Sequence, residues 1–130
     1  MRSVDTNIVV RWLLRDDPKQ TMIADAIMDQ PIEVTVTVML ELGWVMTSAG
    51  RMSRDQFADA ALVLLTVESA LIANRERLRW AIDRYRLGAD WADMIHIANT
   101  AHADVFASFD KFLRKEAGAA TPVAVELPFS

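Results

Sequence analysis

Cysteine is absent from this 130-residue chain, so it can form no disulfide, no thiolate metal site and no cysteine nucleophile, and the composition suits a reducing cytosol. Glycine is scarce, at four residues, and neither G-x-G-x-x-G nor G-x-x-x-x-G-K-[ST] occurs, which leaves a nucleotide phosphate cradle unsupported. A G-x-S-x-G nucleophile elbow is missing too. No long apolar run exists: the best stretch, 58–67, is interrupted by Asp59 and Thr66 and falls far short of the ~20 residues a membrane span needs. The start, Met1-Arg2-Ser3-Val4-Asp5, lacks the apolar core and cleavage site of a secretory signal. Excess positive charge is lacking as well, since 18 acids outnumber 14 bases for a net charge of −4, so no global field draws nucleic acid. These absences together imply a cytoplasmic protein with no membrane partner.

What is present is a 52% hydrophobic chain able to bury one core, read as a single domain over 1–130. The bases are unevenly spread, with Arg75, Arg77, Arg79, Arg84 and Arg86 on one segment and Lys111, Arg114 and Lys115 on another. They read first as solvated helix faces and second as a phosphate-binding strip.

Periodicity and capping signals predict alternating strands and helices. Residues 1–5 read as a strand entering a helix from Thr6 to about Arg15. Asp17-Pro18 opens a second helix. A strand over 32–36 precedes a helix capped by Thr37 and ending at Gly50. Ser53 to Gln56 forms a capping box for a helix reaching Leu65. A short strand around 66–68 and a helix over 72–87 follow, the latter stopped by Gly88. Asp90 caps a helix carrying Asp93. A strand over 104–108, a helix over 110–116 and a last strand over 123–125 complete the chain. Such alternation implies an α/β fold with a parallel, layered sheet.

Four acids stand where strands hand over to helices or where helices open: Asp5, Glu41, Asp93 and Asp110. An acid beside an apolar run is costly to desolvate alone, so it caps a helix or holds a cation. Taken singly, Asp5 and Asp110 read as caps, and Asp93 reads as a favourable charge near a helix N-terminus. Glu41, between Leu40 and Leu42, has less to explain it. Taken together the four fit a hard divalent cation, Mg²⁺ or Mn²⁺, which favours oxygen ligands. Thr6, Asn7 and Ser108 stand beside them as groups able to orient carboxylates or contact phosphate. His96 lies one turn from Asp93 but is more simply a satisfied histidine, and neither histidine is assigned to catalysis.

The strings Val4-Asp5-Thr6-Asn7, Arg15-Asp16-Asp17-Pro18, Leu40-Glu41-Leu42-Gly43-Trp44-Val45, Asp90-Trp91-Ala92-Asp93 and Ser108-Phe109-Asp110-Lys111 resemble, in this order and over nearly the whole chain, the PIN-domain family. Within it they look closest to the VapC-type toxins of bacterial toxin-antitoxin pairs. Ser108 stands where the family often has Thr, and Asn99 interrupts the usual small-residue pattern; neither change removes a carboxylate. The resemblance implies a PIN-like parallel sheet flanked by helices in an α/β/α sandwich, with Asp5, Glu41, Asp93 and Asp110 as the catalytic set binding Mg²⁺ or Mn²⁺. It also implies an endoribonuclease acting on RNA, often dimeric, held inactive by a cognate antitoxin that can place a basic side chain in the acidic site.

The expected chemistry is metal-assisted phosphodiester hydrolysis, with Arg11, Arg15, Arg79 and Arg86 as candidates for flanking phosphates. Two rivals stand beside it. One is a Mg²⁺-dependent phosphohydrolase of another specificity, against which residue 7 is Asn where a D-x-D-x-T start needs Asp. The other is a non-catalytic protein-binding module built on the tryptophans and methionines, which in so small a domain are more often core.

Overall fold

Local capping chemistry sets most of the helix starts. The computed structural model describes residues 1–128, leaving Phe129 and Ser130, the end of the expected domain, outside the described residues. Its elements run β1 (Arg2–Ser3), α1 (Thr6–Leu14), α2 (Pro18–Met28), β2 (Ile32–Glu33), α3 (Val36–Ser48), α4 (Arg54–Leu65), β3 (Ala70–Leu71), α5 (Arg75–Arg86), α6 (Trp91–Ala98), β4 (Val105–Ala107), α7 (Leu113–Ala117) and β5 (Ala124–Glu126). All strand pairs among the described residues are parallel. The chain is of the α/β class, as its sequence implies. It forms two compact units, Met1–Ala73 and Asn74 onward.

In the first unit β1, β2 and β3 pair in that order, with Arg2 opposite Ile32 and Ile32 opposite Ala70. Pairing continues past the short strands, because Val4 N–H donates to the Glu33 carbonyl and Val34 N–H to the Leu71 carbonyl, both at 3.1 Å. Asp5 therefore follows immediately on the C-terminal end of a paired strand. The Asp17 side chain accepts from Gln20 N–H at 3.0 Å, with Pro18 in the first turn, where its missing N–H costs nothing. At α4 the capping box is complete: Ser53 Oγ accepts from Gln56 N–H at 3.1 Å and Ser53 N–H donates to Gln56 Oε1 at 2.9 Å. Met39, Leu42, Met46, Phe57 and Leu64 are fully buried, each worth about 1.5–3 kcal/mol of apolar transfer.

Three expectations shift here. The strand expected at 66–68 forms at Ala70–Leu71, because Thr66 ends α4: its hydroxyl donates to the Val63 carbonyl at 2.6 Å and its N–H bonds the same carbonyl. A β-branched residue is spent on closing a helix. The cap position of α3 is Thr35, two residues before the expected Thr37. The helix expected from Ile72 starts at Arg75, behind Asn74 in the left-handed conformation at φ 60°.

In the second unit β4 pairs with β5, Val105 opposite Ala124 through Ala107 opposite Glu126. Ser108 N–H extends the ladder to the Glu126 carbonyl at 3.0 Å. Helix α5 ends before Gly88, whose φ of 116° is open to glycine. The Tyr85 ring then meets the Trp91 ring edge-on, centroids 5.6 Å apart, which packs α5 against the start of α6. Leu78, Ile82, Met94, Ile95, Ile97 and Leu113 are fully buried. No helix among the described residues is long and apolar enough to cross a membrane.

Candidate metal centre

The first unit brings two of the expected acids to one cleft. Asp5 caps α1, its Oδ1 accepting from Ile8 N–H at 3.1 Å, so the capping role expected of an isolated Asp is real. Thr6 is buried, and its hydroxyl donates to the Glu41 carboxylate on α3. A bond across 35 residues of sequence thus orients one acid beside another. The cleft, about 310 Å³, is lined by Asp5, Thr6, Asn7, Val38, Glu41 and Val45.

The second unit brings together the other two acids and adds one. Carboxylate oxygens of Asp93, Asp110 and Glu116 all lie within 4.8 Å of one another. Asp90 caps α6 by accepting from Asp93 N–H at 3.0 Å, which sets Asp93 in the first turn, half-buried. Asp110 lies in a turn beyond β4. Its N–H donates to Ser108 Oγ at 3.0 Å, and its own Oδ1 accepts from Phe112 N–H at 2.9 Å. Ser108 therefore shapes the loop and does not touch the Asp110 carboxylate through that bond.

One helix holds both acid-bearing elements. From α5, Arg84 Nε donates to the Glu116 carbonyl at 2.6 Å, Arg84 Nη2 to the Lys115 carbonyl at 3.1 Å, and Trp80 Nε1 to the Ala117 carbonyl at 3.1 Å. Three α7 carbonyls, all at an end where helices leave such groups unpaired, are satisfied by α5. The same helix meets α6 through Tyr85 and Trp91, and Arg77 Nη1 donates to the Thr100 carbonyl beyond α6 at 2.6 Å.

The Asp93 carboxyl is pushed above the usual carboxylate range, first by its removal from water, then by repulsion from Asp90 and Asp110, with His96 offsetting part. A carboxyl whose proton is held more tightly because other acids stand near it is poised to accept a cation instead. The spacing suits a hard ion as well. Oxygens bound to Mg²⁺ at about 2.1 Å stand about 3 Å apart on adjacent positions and about 4.2 Å apart on opposite ones, so the three side chains would draw inward to hold a metal.

Glu116 was not among the expected ligands. A continuous helix over 110–116 would place Asp110 and Glu116 about 120° apart around its axis. In the structure only Leu113–Ala117 is helical, and Asp110 folds back from outside it. Of the arginines expected near phosphate, Arg11 pairs with Asp16 at 2.9 Å, Arg15 with Asp25 at 2.7 Å and Arg79 with Glu76 at 2.7 Å. Their charge is already largely neutralised locally.

The sequence profile of the PIN domain matches residues 3–118. The chain belongs to the PIN domain family. No curated protein and no solved structure matches it. PIN domains are generally metal-dependent nucleases, and the cluster of Asp93, Asp110 and Glu116 could hold such a metal in this PIN domain.

Proposed function

We propose that this protein is a Mg²⁺- or Mn²⁺-dependent endoribonuclease, the toxin of a toxin-antitoxin pair of the VapC type. The observation that carries the reading is the three-carboxylate cluster at Asp93, Asp110 and Glu116 in a chain of the PIN family. Asp5, Glu41, Asp93 and Asp110 are proposed as the catalytic acids, with Glu116 as an added ligand. The profile match spans both compact units, which supports reading the chain as one PIN domain.

A divalent cation held by the Asp93, Asp110 and Glu116 oxygens would supply a water of lowered pKa and charge neutralisation for the scissile phosphate. The protein's part is to fix the donors. Asp90 and the α6 backbone hold Asp93, Phe112 N–H holds Asp110, α5 holds the backbone of Glu116, and Thr6 holds Glu41. RNA as substrate, a homodimeric state, a cytoplasmic site of action and a cognate antitoxin complete the proposal. A cationic side chain from that antitoxin would satisfy the same carboxylates as the metal.

The test is cleavage of a panel of single-stranded and structured RNAs with Mg²⁺, Mn²⁺ or chelator, by wild type and a folded Asp93→Asn variant. Metal-dependent cleavage, reduced at least ~100-fold in the variant, is expected. Expressed in bacteria, wild type should arrest growth and the variant should not. Wild-type RNA cleavage that persists undiminished in chelator, or in Asp93→Asn, would sink the reading. Turnover of phosphomonoesters but not RNA would favour a phosphohydrolase, and an Asp93→Asn variant with full biological activity would favour a binding module.

A further inference from the structure

Beside the acidic cluster, the second unit carries a cleft of about 320 Å³ whose lining includes Leu87, Gly88, Phe112, Lys115 and Glu116. That volume lies at the small end of ligand pockets, about 300–1,000 Å³, and suits a single planar group. Phe112 and Leu87 are 64% and 75% exposed, an unusual state for two large apolar groups that share one cleft. Nothing lies within 4 Å of a Cβ position at Gly88, so the rim beside Leu87 is open.

The backbone of Phe112 is bonded to two of the three clustered acids. Its N–H donates to Asp110 Oδ1 at 2.9 Å, and its carbonyl accepts from Glu116 N–H at 3.0 Å. Glu116 itself belongs both to the cluster and to the cleft lining. The backbone that carries the ring is thus held in register with the candidate metal ligands. Lys115 is exposed and joins no ion pair among the described residues, unlike Arg11, Arg15 and Arg79.

An aromatic face, an aliphatic rim and an uncommitted ammonium beside a cation-binding cluster match the parts of a nucleotide: a base with two π-faces and a phosphate. We propose that this cleft is a base-stacking subsite for single-stranded RNA, in which Phe112 and Leu87 hold the base of a nucleotide next to the scissile phosphate and Lys115 meets a neighbouring phosphate. The inference rests on the nuclease reading and deepens it, since a base can reach this subsite only where it is unstacked from its own strand. Stacking on an aromatic side chain is sequence-tolerant, so the subsite selects single strands more than sequences.

The test pairs steady-state cleavage of a single-stranded RNA with fluorescence quenching of a 2-aminopurine-labelled RNA oligonucleotide in Ca²⁺, using the intact protein. Phe112→Ala, which keeps the backbone N–H that holds Asp110, should raise KM and weaken oligonucleotide binding by roughly tenfold, and Phe112→Trp should restore both. Leu87→Ser, at a more exposed position, should move KM in the same direction. Metal-dependent cleavage with unchanged KM in Phe112→Ala overturns the subsite and leaves the nuclease reading standing. Oligonucleotide binding that depends on Phe112 without any cleavage supports the subsite and removes the nuclease reading. Loss of a protein partner in Phe112→Ala, with oligonucleotide affinity intact, assigns the ring to a protein surface and also overturns the subsite.

Discussion

Asp93 is where the electrostatics of the site concentrate. Its carboxyl holds a proton more tightly in the folded protein than in the unfolded chain, chiefly through desolvation and then through Asp90 and Asp110. By linkage, the ionised form costs stability. That cost is absent below the unfolded-state pKa and fully present once pH has risen through the raised folded value. Metal-free wild type should therefore lose stability across the acid range from this group, and Asp93→Asn should remove that dependence. At neutral pH and without metal the variant is expected to melt above wild type, whereas Mn²⁺ should raise the melting temperature of wild type alone. Thermal melts at several pH values, with and without Mn²⁺, check this; a variant that melts lower without metal would refute it. Asp93 and Asp110 were readable as candidates because each stands at a helix or strand boundary. Glu116 offered no such signal, since its partnership with Asp110 depends on a turn whose geometry no helical spacing describes.

At the level of elements, α7 is the weak point and α5 its support. A helix of five residues cannot hold itself together, so Arg84 and Trp80 on α5 supply the missing partners for its carbonyls. Arg84→Ala should destabilise the protein by about 2 kcal/mol, the scale of hydrogen bonds from a charged donor, and should weaken metal binding by loosening Glu116. Gly118 belongs to the same joint. Its φ of 78° and ψ of 178° lie where only glycine sits without strain, and an added Cβ would stand 2.8 Å from Arg84 Cζ. Gly118→Ala is therefore expected to cost a similar ~2 kcal/mol. Chemical denaturation of both variants measures this, and stability equal to wild type would remove the clamp from the account. Where an element's boundary is set by a side chain bonding its own neighbourhood, the sequence shows it: Asp17 with Pro18, Ser53 with Gln56, and Asp90 all cap the helices they were expected to cap. Where tertiary pairing decides, it does not. Thr66 has a strand former's shape but closes α4, and β3 forms where Ala70 and Leu71 meet β2.

For the molecule as a whole, net charge of −4 and a cluster of carboxylates would repel a phosphate backbone until a cation neutralised the acids, so the proposed RNA binding is expected to require that cation. The order of acidic motifs along the chain makes the family legible in the sequence, and the profile match over 3–118 agrees with it. Side-chain contacts made over long sequence separations, such as Thr6 with Glu41, were beyond that reading. Calorimetric titration of Mn²⁺ into wild type and Glu116→Gln tests most directly whether the second unit's acids act as a cation site. Saturable binding by wild type, weakened at least ~10-fold, or about 1.4 kcal/mol, in the variant, is the predicted result. No binding by wild type, or identical isotherms for the two proteins, would contradict it.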